Sequence, residues 1–351
     1  MVQLPTGLTV PRSPAAPSAH YGCTVAGMTG AASPRTLLVT GAASLAVREP
    51  LTGPRRPARV IAAGPAAVYL ELPPPAPEPR VLVVAATGTS RLPNSIAIAP
   101  AGLDRFVPGA VTGEAWIGRG TVQAGELTVR VLRWWDPSPV LGPLSRARLE
   151  QGATALHRAC TSSGRGPSLA DHDDPATLAA CCADGDLAGA VEAAERMVGL
   201  GLGLVPGGDN MINGLLLALR LLGGAISGGT RAVWLADWLG AAVTSDASRR
   251  TTSLGATLLH CAAHGQASAE VSAVLRGLAG QESLAAAAKL LLATGQVLGN
   301  GRALGTSQTL GTSQTPGTSQ TSVAGEAPGA DLAWGLVTGC RAALALALPP
   351  R

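Results

Sequence analysis

Apolar and polar positions alternate in short runs through the first part of the chain, and proline and glycine separate the runs. This spacing is typical of β-strands. The predicted strands are residues 58–61, 67–72, 80–85, 94–99, 116–121 and 126–134, with residues 122–125 as the hairpin turn between the last two. We therefore expect a β-rich domain over residues 36–140. Residues 1–35, rich in proline, alanine, serine and glycine, are predicted to form a disordered leader.

The apolar spacing changes to that of helices after Pro137. The predicted helices are residues 144–159, 175–198, 210–222, 232–243, 253–264, 267–278, 283–294 and 331–348. Asp173 or Asp174 is the expected cap of the second helix, and Gly185 and Gly189 are expected to break it. The fold class is therefore α+β, with a β-rich N-terminal domain followed by a mainly helical domain over residues 141–351.

Two helical segments have further features. Residues 210–222 are apolar on nearly every side, which predicts a central buried helix. Between the last two helices, GTSQT recurs within residues 305–322. This repeat has no apolar periodicity, so we expect a disordered low-complexity loop at about residues 300–328, with no function of its own.

A glycine-rich stretch, GLGLGLVPGGDN at residues 199–210, leads into the central predicted helix. Glycine lets the backbone adopt positive φ or pass close to another group. Asp209 or Asn210 can cap the following helix, and the amides of its first turn, reinforced by the helix dipole, form a natural seat for an anion. A tight turn between two buried helices has the same sequence features, so both interpretations stay open.

A similar pattern occurs near the end of the chain, where Gly329 and Asp331 also precede an apolar helix. Our hypothesis is that the two aspartate-led helix starts face one another across a common anion site. The run RRTTS at residues 249–253 offers guanidinium groups and hydroxyls ahead of another helix, a composition suited to phosphate or carboxylate. The alternative for this run is an ordinary helix cap with surface arginines.

Other polar residues give weaker signals. Asn94 follows a proline and presents a polar group at a predicted strand start. His260 and His264 share a helix face at a spacing that suits a metal, but two histidines on a helix flank are the favoured interpretation.

Composition excludes several classes of protein. Hydrophobic residues make up 46% of the chain, aromatic residues 3% and charged residues 14%, with a formal net charge of +4. Scattered arginines and scarce aromatics argue against nucleic-acid binding. The longest apolar run is interrupted by Arg220 and a glycine pair, and prolines interrupt the N-terminus, so neither a membrane span nor a signal peptide is predicted. We expect a cytoplasmic protein.

The motifs together resemble those of the AllH-like proteins, a family described as a domain of unknown function. The family signature G-x-G-L-T-P-S-G-D-D-x-L-x-G is similar to residues 201–214. Further similar blocks are PNSI at residues 93–96, WDP at 135–137, RTT at 250–252 and a divided closing block at 295–296 and 329–335. The resemblance covers roughly residues 35–347, and its departures from the family pattern include Gly207 in place of a serine, Asn210 in place of an aspartate and Gln296 in place of a histidine.

The resemblance implies a subunit of oxamate carbamoyltransferase, an enzyme of allantoin catabolism and hence of purine degradation. Such an enzyme exchanges a carbamoyl group between oxalurate and phosphate, which gives oxamate and carbamoyl phosphate, and it works beside partner subunits. The three departures remove groups that position a metal or move a proton, which indicates a diverged member.

The resulting function hypothesis is a subunit that binds a small anion of the carbamoyl phosphate, oxamate or oxalurate class. Asp209 is the expected catalytic residue, as a helix cap or as a ligand of a divalent cation such as magnesium. The expected substrate-binding residues are Gly203, Pro206, Gly207, Gly208, Asn210, Asn94, Arg250, Thr251, Thr252, Gly329 and Asp331. The alternative is a non-catalytic scaffold or regulatory subunit of a multi-subunit metabolic complex. In both cases we expect other protein subunits as partners, and neither nucleic acid nor membrane.

Overall fold

A computed structural model of the chain describes residues 37–64, 66–99, 115–164, 166–294 and 328–347. The expected leader at residues 1–35 and the GTSQT repeat lie outside the described residues, as do Gly295 and Gln296. Strands lie within residues 37–135, and helices dominate the described residues that follow. The α+β fold class is therefore confirmed.

Within the described residues, eight strands close into a barrel. The strands are β1 (Leu37–Ser44), β2 (Arg56–Ala63), β3 (Ala67–Glu71), β4 (Val81–Ala86), β5 (Ser95–Ile98), β6 (Ala115–Gly118), β7 (Thr121–Ala124) and β8 (Leu127–Trp135). Their order around the barrel is β1-β5-β4-β3-β2-β6-β7-β8, and β8 pairs with β1. The β1–β8 and β4–β5 pairs are parallel, and the other neighbouring pairs are antiparallel.

Strand β4 explains why the barrel sequence is so apolar. Successive side chains of a strand point to opposite faces. Leu82 and Val84 belong to the apolar core of the barrel, whereas Val81 and Val83 pack in a second cluster that includes Leu254 from the helical part. Both faces of β4 are therefore buried, and this strand joins the barrel to the helices.

The predicted hairpin turn at residues 122–125 is wrong. Thr121–Ala124 form β7, which pairs with β6 on one side and with β8 on the other. The chain reverses instead at Arg119-Gly120 and again at Gly125, and all three residues have positive φ. Glycine adopts this conformation without steric cost, so the two glycines allow two tight turns in place of one longer turn.

One short helix, α1 (Arg48–Thr52), follows β1 after a 3₁₀ turn at Leu45–Val47. The helices in the described residues after the barrel are α2 (Arg146–Ser162), α3 (Asp173–Asp184), α4 (Leu187–Met197), α5 (Gly207–Leu217), α6 (Gly223–Ala225), α7 (Thr230–Ser245), α8 (Ala247–Arg250), α9 (Ser253–Ala263), α10 (Ala269–Leu278), α11 (Leu284–Ala293) and α12 (Pro328–Leu346). A π-helical segment, Ala218–Leu222, joins α5 to α6. In the described ranges, no helix combines the length and the apolar character that crossing a membrane requires.

The predicted break at Gly185 is confirmed, because this residue ends α3 in the left-handed conformation with φ of 76°. Gly189 lies inside α4 and does not break it. The predicted caps are wrong: Asp173 and Asp174 are the first two residues of α3. The helix begins before Pro175 because a proline is tolerated in the first turn, where its missing N–H has no helical partner.

Helices α5 and α12 are parallel and form the centre of the helical part. Gly335 lies against the Met211 carbonyl, and Gly339 lies against the Leu215 carbonyl. Since residue numbers rise together along both helices, their N-termini lie at the same end. Glycine permits this approach because a side chain at Gly335 would overlap the backbone of α5. Every residue of α5 is buried, as predicted for the central helix.

Candidate functional site

The N-terminal turns of α5, α9 and α12 meet beside the glycine-rich loop of residues 199–206. A methyl group at Gly207, the first residue of α5, would lie 3.0 Å from Asp331 Oδ2 in α12. A side chain at Gly255 in the first turn of α9 would overlap Asp209 Oδ2. The structure therefore brings the two aspartate-led helix starts together, and it adds the start of α9.

Asp209 is fully buried, and protein donors surround its carboxylate. The Gly199 N–H donates to Oδ1 at 2.8 Å, and the Thr251 hydroxyl donates to Oδ2. Burial raises the pKa of Asp209 to about 6, although the hydrogen bonds from Thr251 and Gly199 oppose this shift. Burial is the larger effect because water solvates a carboxylate more strongly than the apolar interior does.

The predicted capping role of Asp209 or Asn210 is wrong. Helix α5 begins at Gly207, after Pro206, so both residues lie within its first turn. The Asp209 carboxylate is directed to the neighbouring loop and to α9, as its contacts show. Asn210 donates through Nδ2 to the Val205 carbonyl at 3.3 Å. Both side chains therefore hold the glycine-rich loop and the helix starts together.

Asp331 is buried and accepts hydrogen bonds from Ser168, a residue that the sequence analysis did not identify as part of the site. Its carboxylate accepts the Ser168 N–H at 2.7 Å and the Ser168 hydroxyl at 3.0 Å. Ser168 follows Gly166 and Pro167, a turn-forming pair that is its only signal in the sequence. Its hydroxyl occupies the space that a side chain at Gly207 would need. The glycine that departs from the family signature thus faces a serine from another loop.

The glycine-rich loop covers the first turn of α5. Gly199, Gly201 and Gly203 all have positive φ, a conformation that suits glycine. The Leu200 carbonyl accepts the Gly208 N–H at 2.9 Å, so one amide of the predicted anion seat is already bonded to the loop. Three consecutive loop residues are exposed, and the middle one, Leu202, has 70% of its surface accessible.

Helix α8 and the start of α9 supply the threonines and arginine of the predicted site. Thr252 is the N-cap of α9, where it accepts the Gly255 N–H at 2.9 Å, and its hydroxyl donates to the Leu204 carbonyl at 2.6 Å. The Arg250 guanidinium donates to Asp246 at 2.8 Å and to the Glu195 carbonyl at 3.0 Å. Arg250 is thus engaged by acceptors of the protein.

Two further predicted site residues contact other parts of the fold: Asn94 beside β4, and Gly329, in the same helical turn as Asp331, beside α11. Asn94 is buried in the loop between β4 and β5, where Nδ2 donates to the Val81 carbonyl at 2.9 Å. Its Oδ1 has no hydrogen-bond partner within the described residues. Gly329 packs against the Leu291 carbonyl near the end of α11.

Histidines and acidic residues do not assemble into a metal cluster in the part of the chain that the structure describes. His260 and His264 stack with ring centroids 4.3 Å apart, and His264 Nδ1 lies 2.8 Å from the His260 carbonyl. A divalent cation therefore has no group of three or more of these ligands among the described residues.

The arrangement places each buried carboxylate near the start of a neighbouring helix, Asp331 at α5 and Asp209 at α9. The positive end of a helix dipole favours a negative charge there. An aspartate with a pKa of about 6 also changes its protonation state close to neutral pH. The site therefore contains a carboxylate that can exchange a proton close to neutral pH.

Comparison with known proteins gave one family match. Neither a curated protein nor a solved structure matches the chain. Residues 197–310 match the family model described as oxamate carbamoyltransferase subunit AllH, and this range contains the glycine-rich loop, α5 and the start of α9. The resemblance to the AllH-like family that the motifs predict is therefore confirmed over residues 197–310.

Proposed function

We propose that this chain is a carbamoyltransferase subunit that binds a small anion of the carbamoyl phosphate, oxamate or oxalurate class at the start of α5. The observation that supports this proposal is that the first turn of α5, which carries the buried Asp209, meets the first turn of α9 at Asp209 and the first turn of α12 at Gly207. The family match supports the chemistry, since the matched family is a subunit of oxamate carbamoyltransferase. Helix N-termini stabilise anions through their amides and their dipole.

In this proposal Asp209 is the proton acceptor. When the oxamate nitrogen attacks the carbamoyl carbon of carbamoyl phosphate, an N–C bond forms and the bond from that carbon to the phosphate oxygen breaks. Phosphate leaves, and the nitrogen loses a proton to the Asp209 carboxylate. The pKa of about 6 suits this exchange near neutral pH.

The glycine-rich loop would open to admit the ligand. In the structure, the Leu200 carbonyl accepts the Gly208 N–H, and the Leu204 carbonyl accepts the Thr252 hydroxyl. Release of these bonds would make the amides from Gly207 to Asp209 and the Thr252 hydroxyl accessible to an anion, while the Asn210 N–H stays bonded to the Pro206 carbonyl and the Thr251 hydroxyl to Asp209. Arg250 would release the Glu195 carbonyl and bind the ligand instead.

A thermal-shift titration with carbamoyl phosphate and with oxamate, each with and without magnesium, tests the proposal. The wild-type protein should be stabilised, and Asp209→Asn, which keeps the side-chain volume, should lose this stabilisation. Asp173→Asn is the matched control, because Asp173 is an exposed aspartate in the first turn of α3. An equal melting shift in wild type and Asp209→Asn would contradict the proposal.

A second candidate function is a non-catalytic scaffold or regulatory subunit. The observation that favours it is that protein donors already bind both buried carboxylates, Asp209 through Gly199 and Thr251, and Asp331 through Ser168. Such contacts hold helices together without any ligand. A wild-type protein that shows no melting shift with these anions, but that co-elutes with other carbamoyltransferase subunits, would favour this function.

A further inference from the structure

A cavity of about 330 Å³ lies between the barrel and the helices, in the contact region of the β3–β4 loop with the ends of α7, α8 and α9. Within the described residues, its lining includes none of the residues predicted to bind the anion. Its walls are apolar where Pro74, Pro75 and Ala256 contribute, and charged where Glu78 and Arg80 contribute. Its volume is at the lower end of the range for small-molecule sites.

The charged wall is an ion pair that is largely withdrawn from water. Arg80 Nε donates to Glu78 Oε1 at 2.9 Å, and the two side chains are only 11% and 20% exposed. The other Glu78 oxygen accepts the Arg80 N–H at 2.8 Å and the Thr257 hydroxyl at 2.6 Å. These bonds fix the orientation of both charges before any ligand arrives.

The ion pair leaves hydrogen-bonding capacity for a ligand. Among contacts with described residues, the two terminal nitrogens of Arg80 make no hydrogen bond. Two parallel N–H donors on a guanidinium match the two oxygens of a carboxylate. Arg80 lines the cavity, so a ligand carboxylate bound there would pair with a guanidinium whose charge also interacts with the Glu71 carboxylate.

Groups that can bind a positive charge lie next to Arg80 in the same cavity. Glu78 Oε1 accepts one hydrogen bond from the described residues, and a carboxylate oxygen can accept two. Thr244 and Ser245 at the C-terminal end of α7, the negative end of that helix, also line the cavity. The pKa of His260 is lowered, chiefly by burial, so this lining residue is neutral at neutral pH and does not repel a cation.

We propose that this cavity binds a free α-amino acid with an apolar side chain. The carboxylate would pair with Arg80, the ammonium with Glu78 and the end of α7, and the side chain would lie against Pro74, Pro75 and Ala256. Adjacent fixed charges of opposite sign are complementary to a zwitterion and to neither an anion nor a cation alone. This amino-acid site is separate from the Asp209 site and does not depend on the proposed carbamoyltransferase function.

Isothermal titration calorimetry of the full chain with three probes tests the proposal: L-leucine, N-acetyl-L-leucine and L-leucinamide. Leucine should bind, and each derivative should bind about tenfold more weakly or worse, because each lacks one charge-assisted contact. Equal affinity for leucine and either derivative would overturn the recognition of a zwitterion. The absence of heat with leucine for the folded protein would overturn the site itself.

Two variants locate the binding in this cavity. Ser248→Phe places a large side chain at an exposed lining residue and should abolish leucine binding, while Ala241→Phe, exposed on α7 outside the lining, should leave it unchanged. Arg80→Met removes the carboxylate partner and should weaken leucine binding if the variant folds. Unchanged leucine binding by Ser248→Phe, with a circular dichroism spectrum that matches the wild type, would refute the location.

Discussion

At the scale of single residues, Asp209 shows how a buried charge is tolerated when none of its hydrogen bonds with described residues comes from an arginine or a lysine. Two donors, the Gly199 N–H and the Thr251 hydroxyl, stabilise its ionised form, but they do not fully replace water. The remaining cost appears as the pKa of about 6, compared with 3.8 for an ordinary aspartate. Folding is therefore coupled to the protonation of this side chain.

This coupling predicts a pH-dependent effect of Asp209→Asn. Because the pKa of Asp209 is higher in the folded state than in the unfolded chain, the folded state binds the proton more tightly. Protonated Asp209 stabilises the folded state fully below about pH 4, and this stabilisation is lost as the pH rises to about 6. The total change in the free energy of unfolding is roughly 3 kcal/mol. Relative to wild type, the variant should therefore gain free energy of unfolding between about pH 4 and about pH 7.

Urea denaturation of both proteins across this pH range measures the difference. Asp173→Asn, which removes an exposed carboxylate, is the control for a general effect of replacing an aspartate. A difference between Asp209→Asn and wild type that stays constant with pH would mean that the folded and unfolded states bind the Asp209 proton equally.

At the scale of elements, the contact between α5 and α12 depends on glycine. The Met211 carbonyl lies where a Gly335 side chain would project, and the opposing Gly214 makes a similar approach to α12. An alanine at Gly335 must therefore move one helix backbone away from the other. Alanine loses less conformational entropy than glycine when a helix forms, but displacing the backbone in a packed core costs more free energy than this difference contributes.

We accordingly expect Gly335→Ala to lower the free energy of unfolding by about 1–3 kcal/mol or more. Gly224→Ala is the matched control, since Gly224 is exposed and helical and its new methyl group would meet only Val233, at 4.0 Å. That control should be neutral or stabilising by up to about 1 kcal/mol. Chemical denaturation of the two variants tests the pair, and equal effects would show that α5 and α12 can separate freely.

Apolar spacing predicted most helices because it reports burial directly, and the fully buried α5 is the clearest example. The same signal failed at residues 122–125, because β7 is too short for alternation to distinguish it from a turn. Hydrogen-bond partners were harder to predict than elements. Asp173 and Asp209 are both of a residue type that commonly caps helices. Only the three-dimensional path of the chain decides where each helix starts, and both residues lie within the first turn.

At the scale of the whole molecule, the candidate site combines segments that are distant in the sequence. The repeated glycine-aspartate pattern indicated Asp209 and Asp331 because both precede apolar helices. Ser168 carried no such signal, because its contact with Asp331 depends on how α12 packs near the loop after α2. The pairing of Glu78 with Arg80 and the nearby His260 also arises only from the packing of the barrel on the helices.

The contact between Gly329 and the Leu291 carbonyl places the start of α12 beside the end of α11. The end of α11 and the start of α12, which residues 295–327 connect in the sequence, therefore lie close together in space. Closing a chain segment of a different length there changes its entropy only logarithmically, by less than about 1 kcal/mol for a twofold change.

Deletion of residues 305–322, which removes the GTSQT units, should consequently leave the melting temperature within about 2 °C of wild type. Differential scanning calorimetry measures this, and a large decrease would assign a stabilising role to the deleted residues. If the deletion is neutral, the junction of α11 and α12 is a natural insertion point. Evolution can lengthen the polypeptide there, and an engineer can place a fluorescent or affinity module there, without disturbing the helices on either side.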